Sequence, residues 1–97
     1  MEIIAQSDYN WSLMADQGSQ YFSVLVGGVA MYAIEFQLTA EETEALRLSM
    51  PRAADDLANK VRQNQNIYLA RQVPDFPMRE DVRLAGLRWR KARRAEA

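Results

Sequence analysis

The sequence predicts an α+β fold in which an N-terminal antiparallel β-meander of three to four strands packs against C-terminal helices. Three observations predict it: alternating apolar runs separated by turn residues in 1–38, a helix-start signal at Thr39–Glu42, and apolar residues at helical spacing after Arg52. A chain of 97 residues has room for one hydrophobic core. We therefore expect a single domain, with the meander at 1–38, a helical layer at 39–70, and an extended segment with a basic C-terminal helix at 71–97.

Two short strands open the predicted meander. Glu2–Ala5 is a short apolar run followed by residues that favour a turn. Tyr9–Ala15 alternates in polarity, which is typical of a half-buried strand. One face of this second strand would carry Tyr9, Trp11 and Leu13. The cluster Asp16–Ser19 contains a glycine that tolerates positive φ, so the chain is expected to reverse there.

The next two runs, Tyr21–Val26 and Val29–Leu38, are joined by Gly27-Gly28, the kind of dipeptide that tight hairpin turns favour. A two-residue turn would set Val26 opposite Val29, Leu25 opposite Ala30, Ser23 opposite Tyr32, and Tyr21 opposite Ile34. In this register both faces of the hairpin are apolar. The second face would then need a cover, supplied by loops, by the C-terminal segment or by a partner.

Helices are predicted from Thr39 onward. Thr39 and Glu42 match the capping box, and a first helix ending near Leu48 would turn Ala45 and Leu48 toward the sheet. Pro51 suits the start of a second helix rather than the continuation of the first.

The second helix, Arg52–Asn64, places its apolar residues at helical spacing, namely Ala54, Leu57, Ala58 and Val61. Ile67–Ala70 fits either a strand or a helical turn. Val73–Pro77 is expected to be extended with Phe76 as its anchor, and Arg79–Arg94 is compatible with a helix.

The residue chemistry argues against catalysis and metal binding. The chain has no histidine and no cysteine, and its carboxylates form no acid–base spacing or calcium loop. We expect no enzyme activity, no metal and no cofactor. The N-terminus lacks the pattern of a secretory signal, and the charge-free stretch Gln17–Ile34 fits a buried hairpin better than a membrane span. These features predict a cytoplasmic protein.

Charge is distributed unevenly between the two halves of the chain. Residues 1–50 carry seven acidic residues and one basic residue, whereas residues 51–97 carry eleven basic and six acidic residues. This asymmetry could dock the halves on each other or present surfaces of opposite sign to partners. The sequence does not decide between these two possibilities.

The basic tail around Trp89 has two interpretations. Its cations could neutralise phosphates while the indole stacks on a base, which would make the tail a nucleic-acid site. Alternatively it is a solvated helix end with Trp89 docked into the domain, as the balanced overall charge favours. The candidate nucleic-acid-binding residues are Arg88, Arg90, Lys91, Arg93 and Arg94.

Three segments together, Ser7–Leu13, Tyr21–Phe36 and Leu38–Glu42, resemble the small immunity proteins of bacterial polymorphic toxin and contact-dependent growth inhibition systems. The resemblance covers roughly residues 1–70, is a pattern of strands and capped helix, and does not include the arginine-rich tail.

The resemblance implies a cytosolic protein that binds the toxic C-terminal domain of a cognate effector and blocks its active site or substrate channel. Because interface energy concentrates in aromatic and charged anchors, we expect a small set of partner-binding residues. These are Asp8, Tyr9, Trp11, Asp16, Glu35 and Glu42. A homodimer formed through the apolar hairpin face is a further possibility.

Overall fold

The computed structural model describes residues 2–7, 10–27, 32–73 and 84–91. It confirms the predicted α+β fold, with a four-stranded antiparallel sheet in the order β1-β2-β3-β4 followed by helices. The elements are β1 (Glu2–Ser7), β2 (Trp11–Asp16), β3 (Ser19–Val26), β4 (Tyr32–Gln37), α1 (Ala40–Leu48), α2 (Arg52–Gln63) and α3 (Gln65–Leu69). Residues 84–91 are also helical.

The predicted register of the β3–β4 hairpin is wrong. The structure pairs Val26 with Tyr32, Leu25 with Ala33, Ser23 with Glu35, and Tyr21 with Gln37. Each β3 residue therefore faces a residue three positions later than predicted, because the connection is longer than the glycine pair. A shift by an odd number exchanges the faces of β4 relative to β3.

This exchange makes one face of the hairpin strongly apolar and the other more polar. Phe22 now lies opposite Phe36 and Val24 opposite Ile34, and all four side chains are fully buried. The other face pairs Ser23 with Glu35, so it is more polar. This second face is nevertheless covered, since Met14 and Glu35 on it are buried and Ile3 on it lies beside Ala85 and Trp89 of the C-terminal helix. Burial of the large apolar side chains on one face supplies most of the driving force for folding.

A run of aromatic rings crosses the core. The ring centroids of Trp11 and Phe22 lie 5.7 Å apart, those of Phe22 and Phe36 6.1 Å, and those of Phe36 and Tyr68 5.0 Å. Tyr68 belongs to α3, so the run links β2, β3 and β4 to a helix. It shows that Ile67–Ala70, which fitted either a strand or a helical turn, contributes a helical residue to the core.

The capping box predicted for α1 is confirmed, but the predicted inward face is wrong. Thr39 Oγ1 accepts a hydrogen bond from the Glu42 amide at 3.1 Å, and Glu42 Oε1 accepts one from the Thr39 amide at 2.9 Å. Leu46 is buried, whereas Ala45 is exposed and Leu48 is 68% exposed. The reason is rotational: with 3.6 residues per turn, Leu48 lies about 160° from Leu46 around the helix.

The predicted face of α2 is confirmed. Ala54, Ala58 and Val61 are fully buried against the core, and Leu57 is partly buried beside it. The helix begins directly after Pro51, as the sequence predicted. Three predicted features lie outside the described residues: the extended segment with Phe76, the part of the predicted C-terminal helix before residue 84, and Arg93 and Arg94.

The two edges of the sheet differ. On the β4 side, Phe36 forms a bridge with Gln72, and the Val73 amide donates to the Glu35 carbonyl oxygen at 2.8 Å. On the β1 side, the pairing with β2 is interrupted by a bulge between Ile3 and Ala5. Bulges of this kind twist an edge strand and hinder pairing with another chain.

Candidate functional site

Trp11, one of the predicted partner-binding residues, lies in the hydrophobic core. Its side chain is 4% exposed, and its indole Nε1 donates a hydrogen bond to Asp55 Oδ1 at 2.8 Å. Asp55 is an exposed residue of α2, so this bond joins the sheet to the helix. In this position Trp11 stabilises the fold and offers little surface to a partner.

Glu42 combines its capping role with an ion pair. Arg71 Nη1 donates a hydrogen bond to Glu42 Oε2 at 3.0 Å. Arg71 Nη2 donates to Glu42 Oε1 at 2.6 Å and to the Gln37 carbonyl oxygen at 2.9 Å. The guanidinium carbon also lies 4.8 Å from the centre of the Phe36 ring. Burial tends to raise the pKa of Glu42, but the hydrogen bonds from Arg71 and Thr39 and the charge of Arg71 outweigh it, so the pKa is lowered from 4.5. Glu42 therefore joins α1 to the segment after α3.

Glu35 is a buried acidic residue of β4. It is 5% exposed and lies opposite Ser23, on the face of the sheet that does not carry the Phe22–Phe36 pair. Its carboxyl group has no hydrogen-bond partner among the described residues. Burial alone raises its pKa from 4.5 to about 7. Glu35 therefore offers little surface to a partner.

Of the other three predicted partner-binding residues, Asp16 lies next to a turn and is the one that the structure describes. Asp16 is half-buried at the end of β2 and is already engaged in an interaction. Asp8 and Tyr9 lie outside the described residues. The four described candidates do not form one contiguous surface. Trp11 lies in the core, Glu35 on the opposite face of the sheet, Asp16 at the end of β2 and Glu42 on α1. Their partner-binding role stays a prediction.

The described part of the basic tail is a helix with one buried side. Ala85 is 2% exposed and Trp89 is half-buried, whereas Arg90 and Lys91 are exposed. Trp89 Nε1 is buried and has no hydrogen-bond partner among the described residues. A cavity of about 200 Å³ lies between this helix and the start of β1, lined by Glu2, Ile3, Ala85, Arg88 and Trp89. Of the two interpretations of the tail, the docked Trp89 agrees with this packing.

An apolar surface at the junction of α1 and α2 was not predicted. Leu48 is 68% and Met50 36% exposed, and we call this pair with the adjoining cleft the α1–α2 corner. The cleft has a volume of about 450 Å³. Its walls come from Ala45, Leu48, Ser49, Arg52, Ala53 and Asp56. Three of the six lining residues, Ala45, Ser49 and Ala53, have small side chains, so the cleft has room for a side chain from a partner.

The signal for this corner was present but pointed the wrong way. The prediction that Leu48 faces inward rests on the rule that apolar residues of an amphipathic helix normally face the sheet. Leu46 takes that place, and the residues one turn before it, Glu42 and Thr43, are polar, which hides the buried stripe. The sequence nevertheless held one signal: Leu48 lies two positions after Leu46, so the two leucines point to opposite sides of the helix.

The described residues lack two kinds of functional feature. No group of three or more acidic side chains is arranged to hold a metal ion within residues 2–7, 10–27, 32–73 and 84–91. No described helix is both long and apolar enough to cross a membrane. Comparisons of the chain with protein-family models, curated proteins and solved structures gave no match.

Proposed function

We propose that this chain is an immunity protein that binds the toxic C-terminal domain of a cognate secreted or contact-dependent effector and occludes its active site. The observation that carries the proposal is the exposure of large apolar side chains on helices that are themselves anchored to the sheet. Leu48, at 68%, Ile67, at 62%, and Leu87, at 45%, are examples on three helices. An apolar anchor inside a polar rim on a rigid element is typical of protein-binding surfaces.

The sequence resemblance adds a second line of support. The segments that resemble immunity proteins coincide with strands of the meander and with the capped start of α1. Neutralisation by occlusion needs shape and affinity but no reacting group on the inhibitor. In this small domain Trp11–Asp55 joins the sheet to α2, and Glu42–Arg71 joins α1 to the segment after α3. Such cross-links suit that task, because a rigid surface loses little conformational entropy on binding.

Growth rescue tests the proposal directly. The chain is co-expressed with the C-terminal domain encoded by the gene immediately upstream, and binding of the purified pair is measured by calorimetry. We expect restored growth and a stable one-to-one complex. A chain that is folded by circular dichroism but neither restores growth nor binds that domain would contradict the proposal.

Nucleic-acid binding through the arginine-rich helix is the second candidate, favoured by the exposure of Arg90 and Lys91. Its weakness is Trp89, whose ring is half-buried and therefore presents less surface for stacking on a base. Titration of fluorescently labelled single- and double-stranded oligonucleotides at two salt concentrations tests it. Affinity that falls steeply with salt and is lost in Arg90→Gln/Lys91→Gln would favour this candidate.

A further inference from the structure

The 84–91 helix has an inner and an outer side. Ala85 and Trp89 are four residues apart and define the inner side, which is buried next to the start of β1. Leu87 lies two residues from each of them, about 160° away around the helix. Leu87 is therefore at the centre of the outer side, which agrees with its exposure of 45%.

Leu87 is surrounded by one further apolar side chain and two cations. Leu84 is 40% exposed one turn before it, and Arg90 and Lys91 are exposed one turn after it. We call the set Leu84, Leu87, Arg90 and Lys91 the basic–apolar ridge. Arg88 is not included, because it lines the cavity beside β1 and is already engaged in an interaction.

The inner side fixes the ridge to the sheet. Ala85 is nearly fully buried, and Trp89 lines the cavity together with Glu2 and Ile3. Helix 84–91 thus has neighbours on the body of the domain. A partner that contacts Leu87 meets a surface that is already ordered, so binding does not carry the cost of folding a free tail.

We propose that the basic–apolar ridge is the surface that contacts the toxin domain, and that it fits an acidic protein surface containing an apolar recess. Opposite charge around the recess would pair with Arg90 and Lys91, while the recess would receive Leu87. This inference rests on the proposed function and adds the contact surface and the sign of the partner's charge.

A protein surface suits the ridge better than nucleic acid or a lipid bilayer. A nucleic acid would place phosphates beside Leu87 and Leu84, where aliphatic side chains gain nothing, and the aromatic Trp89 is turned to the inner side. Affinity for a bilayer scales with the apolar area that is buried in it, and two leucines bury little. An acidic protein recess uses both components of the ridge.

Binding of the purified toxin domain to variants of the full chain tests the inference. Leu87→Ser is expected to raise the Kd about tenfold, because it removes the central apolar anchor. Arg90→Glu/Lys91→Glu is expected to raise the Kd about a hundredfold and to reverse the salt dependence of binding. Arg90→Gln/Lys91→Gln, which removes charge without reversing it, is expected to give an intermediate Kd.

Two matched controls lie away from the ridge. Leu69→Ser removes an exposed leucine at the end of α3, and Lys60→Glu reverses an exposed cation on α2. Both are expected to leave the Kd within about twofold of the unaltered chain. Circular dichroism and thermal unfolding of each variant establish that the domain is folded.

The possible outcomes separate the two proposals. Weaker binding in the ridge variants alone supports the ridge as the contact surface. Toxin binding that is unchanged by the ridge variants overturns the ridge while leaving the proposed function intact, and loss of binding in Leu48→Ser would then place the contact at the α1–α2 corner. Ridge-dependent binding to labelled oligonucleotides, or to phosphatidylglycerol-containing phosphatidylcholine vesicles, with unchanged toxin binding also overturns it. No toxin binding by the unaltered chain overturns both proposals.

Discussion

Glu35→Gln should change how the stability of this domain depends on pH. Burial raises the pKa of Glu35 from 4.5 to about 7 on folding. Between these two values the folded state holds more protons than the unfolded chain, so the free energy of unfolding falls as pH rises through this window. A shift of this size corresponds to about 3 kcal/mol of destabilisation once the carboxyl group is ionised in both states. Glutamine imitates the protonated carboxyl group and removes this loss.

Urea unfolding followed by far-UV circular dichroism measures the effect. At about pH 4 the unaltered chain and Glu35→Gln should have similar free energies of unfolding, and at about pH 8 the variant should be more stable by about 3 kcal/mol. Glu41→Gln is the control, since Glu41 is exposed on α1. Stability curves of the unaltered chain and Glu35→Gln that run parallel from pH 4 to pH 8 would refute the reasoning, because they would show that the Glu35 carboxyl is not desolvated by folding.

Three further substitutions probe the contacts that join the elements. Asp55→Ala leaves the Trp11 indole N–H without its 2.8 Å acceptor and should cost about 1 to 3 kcal/mol in urea unfolding. Thr39→Ala removes the side-chain cap of α1 and should cost about 1 kcal/mol by the same assay. Arg71→Gln should lower the free energy of unfolding most at neutral pH. Because the lowered pKa of Glu42 contributes stability that is lost as pH falls below 4.5, the variant should lose less stability than the unaltered chain on acidification.

Each of these substitutions has a comparison that isolates its cause. Asp56→Ala on the exposed side of α2 and Thr43→Ala inside α1 should each cost less than their partners. Arg71→Lys keeps the charge but loses the two-pronged contact, so it should fall between arginine and glutamine. If Asp56→Ala destabilised the domain as much as Asp55→Ala, the loss in stability would come from the change in helix charge and not from the lost indole hydrogen bond.

The sequence predicted the elements of this fold better than their pairing. Thr39 and Glu42 act within one helical turn, so the capping box could be read locally. The hairpin register depended on the length of the turn after Val26, and Gly27-Gly28 indicated a turn without fixing its length. The resulting error of three positions reversed the faces of β4, although both strands had been located.

Prediction of the candidate site was limited by the same distinction between local and long-range contacts. Their aromatic and charged character predicted Trp11 and Glu42 as surface anchors. In the structure each contacts a residue far along the chain: Trp11 contacts Asp55, and Glu42 contacts Arg71. No local pattern records such a contact. The outward direction of Leu87 could be read only after Ala85 and Trp89 were known to be buried.

The bridge between Phe36 and Gln72 has a consequence for synthesis of the chain. Neighbouring strands of the meander are adjacent in sequence, so the sheet can assemble early from contacts of short range. The outer edge of β4, however, receives its partners only when residues 72 and 73 have emerged from the ribosome. Until then a nascent chain presents an open strand edge, which can template association with another chain. The nascent chain therefore most needs protection from aggregation while residues 37–73 are being synthesised.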